Sequence, residues 1–475
     1  PIGIQSFDQI REDGYVYVDK TGLIYNLVTQ GKTYFLSRPR RFGKNLLVST
    51  LACYFQGRKD LFAGLEIDGL EKDWYEYPIF RIDFNGGLYT QPGILEATIE
   101  GYLGNWEDIY GKNPNYTTIG TRFIEILRRA YEQTGRRAVV LIDEYDVPLA
   151  KANENGYYDE MVLLIRNLFE NALKTNSSLK FAVLTGCLRI AKESIFTGTN
   201  NFVTDTIANT GFNEYFGFTQ QEVNKILEDT GTVQYAKQMK EWYDGYHMGE
   251  IDVYCPWDVM NYLRELQRNP KAQPVSYWKN TSDNAIIRSF IDFAGNSITD
   301  KMETLLSGGY ILQDIDENLT YDYLHSSESN LWSILYMTGY LTEARISEGK
   351  TAFSPDTKAL KIPNAEIREI FERELGIKAK LILSPDSYNK FLLEAFGDFD
   401  TTDIYVSSMM TPDSKIETVH AFNEMFYNAN GYYPGLMGSG AYECGNMVIR
   451  AIKDGATDRE SFHEIISGYT TTEGK

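Results

Sequence analysis

Two short stretches carry the residue types that phosphate chemistry requires: Gly43-Lys44 in "FLSRPRRFGKN" (35–45) and Asp143-Glu144 in "VVLIDEYD" (139–146). A triphosphate needs backbone amides converging on its oxygens, a helix N-terminus behind them, and one lysine able to reach the β- and γ-phosphates. Against the pattern G-x-x-x-x-G-K-[ST], Gly43 and Lys44 are in place, while Arg38 stands at the first glycine and Asn45 at the hydroxyl position. Arg38, Arg40 and Arg41 add charge that can offset phosphate, whereas Pro39 removes one amide donor. Alone, the pair also fits a basic surface turn. Asp143 ends an apolar run, where α/β folds gather ligand-binding groups. There it can hold Mg²⁺ directly or through water, and Glu144 can orient and deprotonate an attacking water. A solvated acidic turn is the alternative. Thr185, ending "KFAVLTG", is placed to hydrogen-bond that water or the γ-phosphate, or else belongs to an ordinary turn. Arg189 or Lys192 can reach transferring phosphate oxygens, or lie on a solvated helix face.

These residues need a scaffold that brings them together. "TYFL" reads as a strand running into the basic loop. In "NLLVSTLACYF" Leu46, Leu47, Thr50, Leu51 and Tyr54 recur at helical spacing, which gives the strand–loop–helix order a phosphate loop demands. "PIFRIDF", "AVVLIDEYD" and "KFAVLTG" read as further strands, and "GILEATIEGYL" and "TRFIEILRRAYEQ" as helices. Strands apolar on both faces alternating with amphipathic helices predict an α/β fold, a parallel sheet with helices on both faces, over 1–215. Residues 216–378 read as mostly helical and aromatic, and 379–475 as a Gly-rich tail with one clear helix, "KIETVHAFNEMFY". The 34 tyrosines and 25 phenylalanines read as packing. His247 in "DGYHMG" reads as a packed, hydrogen-bonded residue, and Tyr145 and Asp146 as groups that fix the strand exit.

The chain has 475 residues, room for two or three cores. No apolar run approaches the ~20 residues that cross a bilayer, and "PIGIQSFDQIRED" lacks the features of a secretory signal, so a cytoplasmic location is expected. Four scattered cysteines and four histidines give no basis for a disulfide framework or a zinc site. A net charge of −20 opposes nonspecific attraction to nucleic acid or an anionic membrane. The first fifty residues run the other way, with seven basic against four acidic residues, four of the basic ones between 38 and 44.

In this order, "YVYVDKTGLI", "FLSRPRRFGKNLLVSTL", "LIDEYDVPL", "LTGCLRIAKESIFTGTNNF", "WYDGYHMG", "YCPWDVMNYL", "YWKNTSDN" and "LKIPNAEIREIFE" resemble bacterial predicted AAA-ATPase-like proteins with an R-P-R-R-F-G-K-S phosphate loop. The resemblance covers about residues 1 to 375. It implies an ATP-binding P-loop domain of the additional-strand type followed by a helical region, with ATP and Mg²⁺ as cofactors. Carried over, Gly43 and Lys44 are the phosphate loop, Arg38 matches the family's own pattern, Asp143 is the Mg²⁺-site acid and Glu144 the base. With the residue reading above, the nucleotide-binding candidates are Arg38, Arg40, Arg41, Phe42, Gly43, Lys44 and Asn45, and the catalytic candidates Glu144, Thr185 and Arg189. Asn45 departs from the family's Ser, whose hydroxyl ligates Mg²⁺. Its amide oxygen reaches farther from the backbone, and Mg²⁺ tolerates little deviation from ~2.1 Å octahedral geometry, so reduced turnover is expected. Asn45 and Asp143 are the metal-site candidates.

The tail departs further. Such proteins usually continue into a PD-(D/E)XK nuclease-like domain, and no suitable Asp with Glu-x-Lys follows Gly376. The segment from "FLLEAFGDFD" to "SFHEII" resembles instead the late part of a branched-chain amino-acid type periplasmic solute-binding protein, without its first lobe. A chimeric C-terminus, natural or by misjoining, and a diverged terminal domain are both open. Three functions follow: an ATP-binding, weakly hydrolysing protein that couples nucleotide state to conformation; a nucleotide-binding regulatory scaffold without turnover; and amino-acid binding through the tail.

Overall fold

The structure is a computed structural model that describes residues 3–174, 176–188, 202–209, 211–278, 287, 296–317, 319, 327–345 and 356–375, and beyond them 381–383, 404–406, 424–429, 450, 453 and 454. The chain divides into two units, Pro1–Leu375 and Gly376–Lys475.

The first unit is built on a five-stranded parallel sheet of β1 (Thr33–Ser37), β2 (Ile79–Asp83), β3 (Ala138–Asp143), β4 (Leu179–Gly186) and β5 (Val203–Asp205), in the spatial order β2-β3-β4-β1-β5. Ala138 to Ile142 are apolar and fully buried, which suits a central strand covered on both faces. β4 lies between the strand that leads into the basic loop and the strand that ends in the acidic pair, the additional strand expected above. Because the strands are parallel and in register, their C-terminal ends lie along one edge. Phe35 pairs with Leu184, Ile142 with Leu184, and Asp83 with Asp143. Helix α1 is Phe7–Glu12, α2 is Thr21–Gln30, and α3 is Lys44–Phe55, which buries Leu47, Val48, Leu51 and Phe55.

Residues 216–375 add helices Gln220–Asp229, Ala236–Tyr243, Pro256–Arg268, Asn296–Leu306, Glu328–Met337 and Ala365–Glu374. They also contain strands where the sequence reads as mostly helical: a hairpin of β6 (Tyr246–Met248) and β7 (Ile251–Val253), and an antiparallel sheet of β8 (Ile311–Asp314), β9 (Thr342–Glu343) and β10 (Thr357–Lys361) in the order β8-β10-β9. These strands are two to five residues long, too short for alternation to stand out from an aromatic background. One hydrophobic cluster runs from Phe35 and Leu141 through Phe42 to Tyr246, Trp278, Tyr340 and Leu360, so the change of texture near 215 falls inside a single compact unit.

Within the second unit β11 (Leu381–Leu383) pairs in parallel with β12 (Ile404–Val406), and residues 424–429 are helical. Most of the tail read as solute-binding-like lies outside the described residues. Among them, no helix is long and apolar enough to cross a membrane.

Candidate functional site

The loop between β1 and α3 takes its shape from two left-handed residues, Arg41 at φ +72° and Gly43 at φ +88°. Gly43 caps α3, and any side chain there is strained by the backbone alone. Lys44 is the first residue of the helix and is 2% exposed. Its ammonium donates to the carbonyls of Arg38 (3.1 Å) and Pro39 (3.3 Å) and lies 3.4 Å from Glu144 Oε1 and 3.5 Å from Cys187 Sγ. The lysine of one stretch and the acid of the other therefore meet. Burial opposes the charge on Lys44, but the field of Cys187, Glu144, Asp146 and Asp143 outweighs it and holds the ammonium above its ordinary range.

Asp143 is fully buried at the end of β3. Burial, with repulsion from Glu144, pushes its carboxyl up to about 6 against the opposing pull of Thr185 and Lys44. The Thr185 hydroxyl donates to Asp143 Oδ1, while Asp143 Oδ2 and Glu144 Oε2 are buried without a partner. An unpaired carboxylate oxygen in a dry site is costly, and a cation is the partner that such an oxygen suits. Asp143 thus fits a Mg²⁺ ligand. Asn45 lies in the first turn of α3 and lines a cleft with Lys44 and Glu144, while Asp143 is buried next to Glu144 and is not among the residues that line it. Glu144 itself sits at φ +51°, a conformation uncommon for a non-glycine residue and found more often at functional sites.

Behind the acids, Tyr145 and Asp146 hold the exit of β4. The Tyr145 hydroxyl donates to the Leu188 carbonyl, and Asp146 Oδ2 accepts from the amides of Cys187 (2.9 Å) and Leu188 (3.0 Å). Gly186 is required here, because a Cβ would lie 2.6 Å from the Tyr145 ring and 2.7 Å from Asp146 Oδ1. Burial pushes the Cys187 thiol up to about 11, with Lys44 opposing.

One expected role is corrected. Arg38 does not turn its side chain to the phosphate loop: it is fully buried, ion-paired with Asp205 on β5, and 4.6 Å from the centroid of the Phe216 ring. A guanidinium excluded from water takes the nearest carboxylate and aromatic face, so only the Arg38 carbonyl serves the loop, through Lys44. Thr185 gives its hydroxyl proton to Asp143, and so orients the acid. Arg189 and Lys192 lie outside the described residues. Arg40 lines the cleft, and its charge is felt at Asp146 and Cys187. Phe42 is buried against Tyr246 (4.9 Å between centroids), anchoring the loop. His247 sits on the β6–β7 hairpin, 2.9 Å from Asp252 Oδ1.

The cleft holds about 480 Å³. Its polar lining includes Arg40, Arg41, Lys44, Asn45 and Glu144, and its apolar lining includes Val16, Val18 and Ile24 from the N-terminal segment and Phe218, Trp257 and Met260 from the later region. Sequence reading did not place this apolar lining, since nothing local in an aromatic or aliphatic residue says which cavity it faces. It also assigned no role to Asp19-Lys20-Thr21. Asp19 accepts from the amide and hydroxyl of Thr21 at the start of α2 and from the Glu66 amide, while Lys20 pairs with Glu222 at 2.6 Å. Glu222 belongs to the capping box of helix Gln220–Asp229, so Lys20 ties the N-terminal segment to the later region beside the cleft.

A family model described as predicted AAA-ATPase matches residues 1–196. An "Uncharacterized protein in vnfD 5'region" of Azotobacter chroococcum mcd 1 is 30% identical over 381 residues, which is 80% of this chain and 70% of that one. This chain belongs to the predicted AAA-ATPase family. As expected for such a family member, its sheet is that of an α/β P-loop fold. Among solved structures the chain is similar to the Aeropyrum pernix ORC1 protein in complex with DNA (TM-score 0.25, 11% identity, 75% of this chain and 93% of that one). It is also similar to the Aeropyrum pernix ORC2 protein in ADPNP–ADP complexes (TM-score 0.26, 8% identity, 75% and 92%). Scores this low do not bear on the chemistry of the site, and the fold assignment rests on strand order and family.

Proposed function

We propose that this predicted AAA-ATPase binds ATP in the cleft above α3 and hydrolyses it slowly with Mg²⁺. The observation that carries the reading is the approach of Lys44 to Glu144 at 3.4 Å, next to a buried Asp143 with an unpaired oxygen. Mg²⁺ supplies neutralisation of the β- and γ-phosphate charge when bound. Lys44 exchanges the loop carbonyls for phosphate oxygens, with amides at the start of α3 completing the cradle. Once phosphate holds Lys44, Glu144 loses its cation and is released to take a proton from water. Thr185 keeps Asp143 turned toward its ligand.

Glu144→Gln keeps the shape and removes the base. Phosphate release is expected to fall at least about a hundredfold while ATP affinity is kept. Equal turnover in the two forms would remove Glu144 from the chemistry.

Asn45 favours a second reading, a nucleotide-dependent scaffold with almost no turnover. On the hydrolytic reading Asn45→Ser restores a short hydroxyl ligand and raises Mg²⁺-dependent turnover. A steady-state rate unchanged by this substitution would show that Asn45 is not what limits hydrolysis.

A further inference from the structure

We infer that Trp257 is the residue through which the 211–375 region touches a bound nucleotide, its indole N–H donating to an oxygen of the ligand, and that Arg41 passes this contact to the phosphate loop. The inference rests on the nucleotide reading of the cleft.

Trp257 stands in the first turn of helix Pro256–Arg268 and lines the cleft beside Pro256 and Met260. Its indole nitrogen is buried and has no hydrogen-bond partner. Native structures leave few buried N–H groups unpaired, so one on a residue that lines a ligand cleft points to an acceptor that the indole reaches by turning toward a bound ligand. The neighbouring indole is different. Trp278 donates its N–H to Asp258 Oδ2 at 3.1 Å, and its backbone amide donates to Glu366 Oε1 at 3.0 Å. Trp278 is fixed on buried carboxyls, whereas Trp257 holds a donor in reserve.

Arg41 connects both rings to the loop. Its guanidinium carbon is 5.5 Å from the centroid of Trp257 and 5.5 Å from that of Trp278, and Nη1 donates to the Tyr277 carbonyl at 2.7 Å. On the backbone side, the Arg41 carbonyl is 3.8 Å from Cys255 Sγ, just before the helix that carries Trp257. Arg41, expected to bind phosphate, lines the cleft, and its guanidinium lies near two indoles of the later region. The left-handed backbone of Arg41 is part of the phosphate loop, so a shift of Trp257 toward a ligand pulls on the same residue that shapes the loop. "RPRRFGK", "CPWDV", "YWKN" and "NAEIREIFE" thus meet at one contact, through Arg41, Trp257 and Asp258, Trp278, and Glu366.

The test is titration of the full chain with ATP, read by calorimetry and by intrinsic tryptophan fluorescence, for the wild type and for Trp257→Phe and Arg41→Lys. Phenylalanine keeps a ring and removes the N–H. The expected result is ATP affinity about three- to tenfold weaker in Trp257→Phe, with a ligand-free thermal midpoint at or above that of the wild type. Most of the wild-type fluorescence change should be lost in Trp257→Phe and reduced in Arg41→Lys, which keeps the charge but not the planar stack. Wild-type affinity in Trp257→Phe, or an undiminished fluorescence change in both variants, would overturn the proposal while leaving nucleotide binding intact. Absence of ATP binding by the wild type would instead overturn the nucleotide reading on which it rests.

Discussion

Lys44→Ala is expected to weaken ATP binding about ten- to a hundredfold and, separately, to destabilise the ligand-free protein. The first effect follows from losing a charge-assisted hydrogen bond to phosphate. The second follows from the surroundings of the ammonium, which lies 3.4 Å from Glu144 and whose charge is felt by Asp143 and, together with that of Arg40, by Asp146 in a buried site. Removing one partner of a buried pair costs about 3–5 kcal/mol. The loss should depend on pH. A carboxyl held above its ordinary value takes up a proton in the folded state that the unfolded chain releases above about pH 4, so stability gained this way grows as pH falls. Asp143 already stands at about 6, and without Lys44 it moves higher. The Lys44→Ala deficit in urea unfolding is therefore expected to be largest near pH 8 and to shrink toward pH 5. A deficit that does not vary with pH would mean that Lys44 does not sustain the acids.

Arg38→Met is expected to cost about 3–5 kcal/mol of stability, because Asp205 is left buried beside β5 with no counter-charge. Arg38→Met combined with Asp205→Leu should recover most of that loss, since replacing both members of a buried pair by apolar groups is often neutral or stabilising. ATP affinity per folded molecule should be nearly unchanged in the double variant, because the Arg38 guanidinium faces Asp205 and Phe216 rather than the cleft. Chemical denaturation and calorimetric titration of the single and double variants check both statements. Loss of ATP binding in a well-folded double variant would return Arg38 to the phosphate site.

What was legible in the sequence was whatever a local pattern carries. Apolar runs gave β1 to β4, and helical spacing gave α3 behind the loop. Lys44, Asp143 and Glu144 could be named as candidates because phosphate chemistry is tied to strand ends and helix starts, which position alone reveals, and the structure brings Lys44 to Glu144. The direction of a side chain was not legible. Arg38, Arg40 and Arg41 look alike in the sequence, yet the first is buried on Asp205, while the other two line the cleft and only Arg41 lies 5.5 Å from the rings of both Trp257 and Trp278. The partners that separate them are 167 residues away for Arg38 and more than 200 for Arg41, beyond any window that periodicity can scan. Thr185 was placed at the site by its position at a strand end, but its bond to Asp143 depends on β3 and β4 being neighbours, which strand order along the chain does not say.

The most direct test of the account is calorimetric titration of ATP into the full chain, with and without Mg²⁺, repeated on Asp143→Asn. One site is predicted, tightened by Mg²⁺ in the wild type and no longer tightened in Asp143→Asn, with Mg²⁺-free binding retained in both. Binding that Mg²⁺ strengthens equally in the wild type and Asp143→Asn, or no ATP binding at all, would contradict a single pocket shared by Lys44 and Asp143.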